Sequence, residues 1–210
     1  MTDIKDLSCV EFTHALGSAT PAPGGGGAAA LMGALGVALG DMVACFTMGK
    51  KKYADVDEDM RQLKEECVRL EDRLLSLIDG DAEAFTPLSK AYGMPNDTEE
   101  KKAEKARVME KCLRDAAEVP LEVMRLAGRG VELLRIFADK GSVLMISDAG
   151  CGAACCRAAL ECGALNVHIN TRSMKDRAYA DRINEEANAL AEKYLPMAKD
   201  IYRDVFYKCR

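Results

Sequence analysis

Pro21-Ala22-Pro23-Gly24-Gly25-Gly26-Gly27 runs directly into Ala28–Met48, a segment made almost wholly of small and apolar residues. Two prolines fix φ and set an extended entry. Four successive glycines allow backbone conformations that other residues reach only at a cost. Ala, Leu and Met are frequent in Ala28–Met48, so it reads as a long helix. A glycine run at a helix start exposes unpaired N–H groups at the positive end of the dipole, an arrangement that suits an anion or a polar ligand. The same run also serves as a tight turn that lets two chains approach closely. Both readings stand at this point.

Working outward, the glycine run is neither of the familiar nucleotide loops. A Walker A loop needs Gly-x-x-x-x-Gly-Lys-Ser/Thr, but Gly49-Lys50 is followed by Lys51 and preceded at the first glycine position by Ala44. A dinucleotide fingerprint needs a strand before the glycines, whereas Glu11–Ala19 reads as a short helix with Phe12 and Leu16 on one side. Ala28–Met48 is almost long enough to span a bilayer. Asp41 interrupts it, Lys50-Lys51-Lys52 flanks one end, and no second continuous apolar span is read further along the chain. Gly33, Gly36 and Gly40 form a smooth ridge on which backbones pack closely. The segment is expected as the buried central helix of a soluble bundle, with that ridge at a subunit interface.

The chain has 210 residues, no Trp and few aromatics, which fits one helical domain over 1–210 without a linker. A net charge of −5 gives no support for nucleic-acid binding. The nine cysteines include no Cys-x-x-Cys pair, and His14 and His168 stand at no zinc-ligand spacing to them. Reduced thiols in a cytoplasmic protein are the expectation, with no metal site. Cys151, Cys155 and Cys162 fall close to one helical face, where Cys acts as a small hydrophobe. Met1–Ser8 is polar and is not read as a secretory signal.

Met60, Leu63, Cys67, Leu70, Leu74 and Leu77 recur at steps of three and four, an amphipathic stripe. Asp79-Gly80-Asp81 is expected as a bend, with helix resuming over Ala82–Ala91. Asp97 with Glu100 resembles a capping box for a helix that buries Ala103, Ala106, Met109, Leu113, Ala116 and Ala117. Pro120 is expected to kink or restart it, and Val131–Asp139 to be a further helix. Val143–Ile146 is a buried strand or, lacking a partner, a helical or extended connector. Ser147-Asp148 is a plausible N-cap for Asp148–Asn170, a second helix of small residues. Lys175–Phe206 closes the chain, with Tyr179, Ile183, Ala187, Leu190, Tyr194 and Ile201 inward and Pro196 a potential kink.

Chemistry must come from polar groups beside these segments. Asp79 and Glu83 are one turn apart, and Asp81 lies between them at the expected break. Lys50, Lys51 and Lys52 end the first central helix, where cations complement the dipole. Asp148 stands at the start of the second, and Asn166 and Asn170 share a face near its end. Each has an ordinary structural use: capping, solvation or dipole complementation.

Taken together the segments resemble one family. Thr20–Gly26, Leu35–Val43, Gly49–Tyr53, Asp79-Gly80-Asp81-Ala82-Glu83-Ala84-Phe85, Ser147–Gly150 and Ala164–Asn170 are similar, in order, to segments of the formiminotransferase-cyclodeaminase C-terminal domain family. The family often has Ser after the third glycine, where this chain has Gly27. The resemblance implies an all-α homodimer acting on a tetrahydrofolate derivative, with no further cofactor, no nucleic acid and no membrane. It implies cyclodeaminase activity, converting 5-formiminotetrahydrofolate to 5,10-methenyltetrahydrofolate and ammonia. The alternatives are methenyltetrahydrofolate cyclohydrolase and a non-enzymatic helical oligomer module.

Ring closure needs a base near N10 and an acid for the departing amine. Asp79, Asp81 and Lys50 are the candidates for that work. Pro23, Gly24, Gly25, Gly26, Gly27, Lys51, Lys52, Glu83, Asp148, Asn166 and Asn170 are the candidates for binding. The amides and Asp148 suit a pterin ring, and the lysines or loop N–H groups suit the anionic glutamate tail.

Overall fold

The computed structural model describes residues 3–210 and is all-α, with no strand among them. Six helices follow in order: α1 (Cys9–Leu16), α2 (Gly25–Thr47), α3 (Asp57–Tyr92), α4 (Glu99–Lys140), α5 (Ile146–Arg172) and α6 (Arg177–Lys208). Short 3₁₀ turns occupy Ile4–Asp6, Lys51–Val56 and Val143–Met145. The fold class and the two small-residue helices are as the sequence leads one to expect, with α2 and α5 filling those roles.

Both amphipathic stripes deliver their core. On α3, Met60, Cys67, Leu74 and Leu77 are buried, with Leu63 and Leu70 packed at the margin. On α6, Ile183, Ala187, Tyr194 and Ile201 are buried. The inner face of α4 holds Leu113, Ala116 and Ala117, but Ala103 is exposed.

The expected breaks do not occur. Helix α3 runs unbroken through Asp79-Gly80-Asp81, and α4 runs unbroken through Pro120 into Val131–Asp139. Glycine and proline weaken an isolated helix, but packing along a whole face outweighs one poor residue. Pro120 has no N–H, so the carbonyl of Ala116 loses its helical donor. The Asn170 side chain fills the vacancy, donating through Nδ2 at 2.9 Å. The Val143 segment is a 3₁₀ turn rather than a strand. Position 145, not Ser147-Asp148, caps α5, and Asp148 lies in its first turn. The cap of α4 is Thr98, whose side chain accepts from Lys101 N, rather than an Asp97–Glu100 box. A true capping box stands at α1, between Ser8 and Glu11.

Helices α2 and α5 run antiparallel with their backbones in contact. A Cβ on Gly36 would lie 2.5 Å from Cys156 Sγ and 2.9 Å from Gly152 O. One on Gly152 would lie 2.7 Å from Gly36 O. Gly33 faces Leu74 and Gly40 faces the Phe137 ring. The glycine ridge is therefore consumed inside the protomer, against α3, α4 and α5, and does not form a subunit interface. Small residues at these positions set the inter-helix distance, and close approach replaces side-chain interdigitation. Cys151, Cys155 and Cys162 sit on the outer side of α5, exposed or half-buried, whereas Cys156 is in the core. Burial pushes the Cys156 thiol up and that of Cys67 up to about 12.

By length and composition α2 and the Val143–Arg172 segment are both apolar enough to cross a membrane, so the second span that the sequence does not lead one to expect does exist. In this fold each buries one face against the other helices and leaves the other face open.

Candidate active site

Gly24 caps α2 in an extended conformation, so Gly25, Gly26 and Gly27 form the first helical turn rather than a free loop. Their N–H groups have no partner within the helix. One is used at once: Gly27 N–H donates to Asp81 Oδ2 at 2.9 Å. The Asp81 carboxylate lies so close over Gly26 that any Cβ there would collide with it. Glycine at 26 is what admits the carboxylate to the helix end. Burial raises the Asp81 pKa above the usual carboxylate value, and the Gly27 N–H offsets that only in part.

Around this pair the chain forms a pocket of about 150 Å³. Pro21, Gly24, Gly25, Gly26, Asp81, Phe85, Ala116, Asn166, Ile169 and Asn170 line it. Asn166 Nδ2 donates to Cys162 O at 2.8 Å, and Asn170 Nδ2 to Ala116 O. Both amide oxygens are left without a donor among the described residues, ready to accept from N–H groups of a ligand. Pro23 is buried beneath the turn, where its Cβ approaches the Gly27 position. Phe85 and Ile169 complete the lining and are not among the residues the sequence singles out. The signal was present, since Phe85 is four residues after Asp81 and shares its face.

Four groups of expected site residues lie elsewhere. Asp79 does not join Asp81. Residues two apart on a helix point about 200° apart, and without a break at Gly80 nothing turns them together. Asp79 instead clamps the chain start: Oδ1 accepts from Ile4 N at 2.7 Å and Lys5 N at 3.3 Å, and Lys5 Nζ stands 3.1 Å from Oδ2. Glu83 lines the same outer face of α3 as Asp79. That face borders a larger cleft of about 600 Å³ with Asp115, Glu118 and Glu122, where Lys5 and Arg73 also stand and Arg73 pairs with Glu122 at 2.7 Å; the carboxylates outnumber the cations, which disfavours an anionic substrate. Lys50, Lys51 and Lys52 follow α2 at its far end, where Lys50 Nζ donates to Ser142 Oγ at 3.4 Å. A helix of 23 residues separates them from the glycine turn by about 35 Å. Asp148 is at that far end too, eighteen residues before Asn166 and about 27 Å away.

The clamp gives a direct check. Asp79→Ala should cost about 1 kcal/mol of stability and expose residues 3–8 to proteolysis, leaving turnover near wild type. A fall in turnover of roughly 10²-fold would return Asp79 to the chemistry.

Comparison with known proteins places the chain in a family. The profile of the formiminotransferase-cyclodeaminase family matches residues 8–189. The chain belongs to that family. Membership makes it an enzyme, and it sets aside the reading as a non-enzymatic oligomer module. The chain is 42% identical over 182 residues to a methenyltetrahydrofolate cyclohydrolase of Methylorubrum extorquens, covering 86% of this chain and 88% of that one. It is 30% identical over 190 residues to the mouse formimidoyltransferase-cyclodeaminase, covering 90% of this chain and 35% of the mouse protein. The crystal structure of formiminotetrahydrofolate cyclodeaminase from Thermotoga maritima superposes with a TM-score of 0.82 at 29% identity, over 98% of this chain and 97% of that one. The fold shared with the Thermotoga protein thus extends over nearly the whole six-helix unit.

Proposed function

We propose that this enzyme is a methenyltetrahydrofolate cyclohydrolase, which opens 5,10-methenyltetrahydrofolate with water to give 10-formyltetrahydrofolate. The near end-to-end match at 42% identity to the Methylorubrum cyclohydrolase carries the proposal. From sequence, cyclodeaminase stands first and cyclohydrolase second; the comparisons favour the reverse order.

The reaction asks little of a protein beyond positioning and one proton carrier. Water attacks the carbon bridging N5 and N10 and gives up one proton to a base, leaving a neutral carbinol. The carbinol then loses its hydroxyl proton as C=O forms and the N5–C bond breaks; N5 takes a proton, the formyl group stays on N10, and one proton is released overall. Asp81 supports the role of base: it is the one carboxylate among the described residues that line the pocket, and its raised pKa brings it closer to the operating pH. The Asn166 and Asn170 oxygens suit the N–H edge of the pterin. The N–H groups of Gly25 and Gly26 suit an oxyanion or a carboxylate. The proposed enzyme works as a homodimer in the cytoplasm on a tetrahydrofolate derivative, and needs no cofactor beyond it.

Cyclodeaminase remains the second reading, favoured by the Thermotoga structure. There N10 attacks the formimino carbon and ammonia leaves. Both reactions pass through a tetrahedral carbon between N5 and N10, so one pocket serves either. Two assays separate them: loss of methenyl absorbance in water, and ammonia release from 5-formiminotetrahydrofolate. Methenyl hydrolysis without ammonia release is expected. Ammonia release as the faster reaction would reverse the assignment, and activity on neither folate would end the folate reading.

A further inference from the structure

We propose that Arg172 binds the acidic glutamate tail of the substrate, in a cleft that opens from the Asp81 pocket along α5. The inference rests on the folate reading above and supplies an anchor for the part of the substrate that the pocket does not hold.

The pocket is too small to hold a folate alone. Its volume of about 150 Å³ is below the roughly 300–1,000 Å³ of ordinary small-molecule sites. A second cleft of about 480 Å³ lies beside it, lined by Leu165, Asn166, His168, Ile169 and Arg172. Asn166 and Ile169 line both, so the two form one continuous groove. Together they fall within the ordinary range of site volumes.

The groove changes character along its length in the same order as a tetrahydrofolate derivative. At one end Asp81 and the side-chain amides of Asn166 and Asn170 offer polar partners for a pterin. Next, Leu165 and Ile169, 70% and 59% exposed, give an apolar floor for the benzoyl ring. At the other end stands the Arg172 guanidinium, and no carboxylate lines the second cleft among the described residues. From Asn166 to Arg172 the helix rises six residues, about 9 Å. From N10 through the ring and the amide to the first glutamate carboxylate is also about 9 Å at ordinary bond lengths. Side chains on a helix tilt towards its N-terminus. Arg172, three residues beyond Ile169, therefore leans back over the apolar floor towards the pocket.

Charge pairing singles out this arginine. Arg157 stands 3.6 Å from Glu161, Arg177 3.1 Å from Asp181 and Arg114 2.6 Å from Asp176. His168 is taken up by Asn188, with Nε2 3.1 Å from Oδ1. Arg172 is exposed and makes no ion pair or hydrogen bond among the described residues. Its planar fork of N–H donors fits a carboxylate through two parallel bonds. Lys50–Lys52 of the same chain cannot stand in for it, being about 35 Å away along α2. Arg172 lies in the last turn of α5, where a cation also complements the helix dipole. That use alone would show in stability and leave substrate binding untouched.

The test compares two substrates. One is 5,10-methenyltetrahydrofolate; the other is 5,10-methenyltetrahydropteroate, which lacks the glutamate. Arg172→Gln should raise KM for the first by roughly tenfold, the lower range for a lost hydrogen bond to a charged group, with kcat held. It should leave KM for the second unchanged. Arg172→Lys keeps the charge and loses the paired bonds, so its KM should fall between. Added salt should raise the wild-type KM more than that of Arg172→Gln. An unchanged KM on the first substrate overturns the proposal, whether or not the melting temperature falls. An equal rise on both substrates overturns it too, because the glutamate is then not what Arg172 reads. A second measurement needs no turnover. In calorimetric titration with 5-formyltetrahydrofolate, wild type should bind roughly tenfold more tightly than Arg172→Gln. If wild type turns over no folate yet shows that difference, the reaction assigned above fails and the tail site stands. Equal affinities, or no binding by wild type, overturn the tail site.

Discussion

Asp81→Asn should slow turnover of the folate substrate by about 10²–10⁴-fold, the usual cost of losing a positioned general base. The change keeps size and shape and keeps an acceptor for Gly27 N–H, so the pocket should bind ligand much as before. The loss should fall on kcat. The pH dependence gives a second reading of the same group. Burial raises the folded pKa above that of the unfolded chain. Between the two values the folded state holds the extra proton, so Asp81 makes the protein less stable as pH rises through that window. The substitution removes the titration. Asp81→Asn should therefore flatten this part of the stability profile and leave the protein at least as stable at neutral pH. The acid limb of the wild-type rate profile should lie above the ordinary aspartate value and vanish in the variant. Near wild-type turnover on both folate substrates would exclude Asp81 as the proton carrier.

Gly36→Leu should cost the fold more stability than Asp79→Ala. Its Cβ meets Cys156 Sγ, Gly152 O and Cys156 N at 2.5, 2.9 and 3.0 Å, and two of these atoms are backbone. A flexible side chain would yield, but a helix backbone packed on its other faces does not. Overpacking usually costs 1–3 kcal/mol, and about 3 kcal/mol or more is expected here. For a chain of this size that lowers the melting temperature by about 6–12 °C. The damage lies within each protomer, so unfolding should show it whether or not the chain is oligomeric. A wild-type melting temperature would show that α2 and α5 separate without penalty.

The helices were legible because their periodicity spans many turns, and no local exception outvotes such a stripe. Met60 to Leu77 reads correctly for that reason. The breaks at Gly80 and Pro120 were misread because one residue's propensity counts for little inside a helix packed along its length. The site was legible where its parts are local to one helix turn, as with Gly24–Gly27, or lie on one face, as with Asn166 and Asn170. Asp81 reaches the candidate pocket by its helical phase and not by the bend that the sequence suggests. The same phase turns Asp79 and Glu83 away. Lys50–Lys52 and Asp148 show the other limit. Distance along a helix converts residue number into ångströms, and a motif beside another in sequence stands far from it when a rigid rod lies between.

The proline at 120 has a consequence for how this protein can change. Alanine at that position would ordinarily be a safe improvement to a long helix. Here it would supply an N–H to compete for the Ala116 carbonyl that Asn170 now occupies. Sharing that carbonyl would weaken the bond that sets the Asn170 rotamer, beside the Asp81 pocket. Positions 120 and 170 are thus not independent letters of the sequence. An engineer who straightens the helix inherits a loosened pocket. The effects of the two changes, made singly and together, should fail to add.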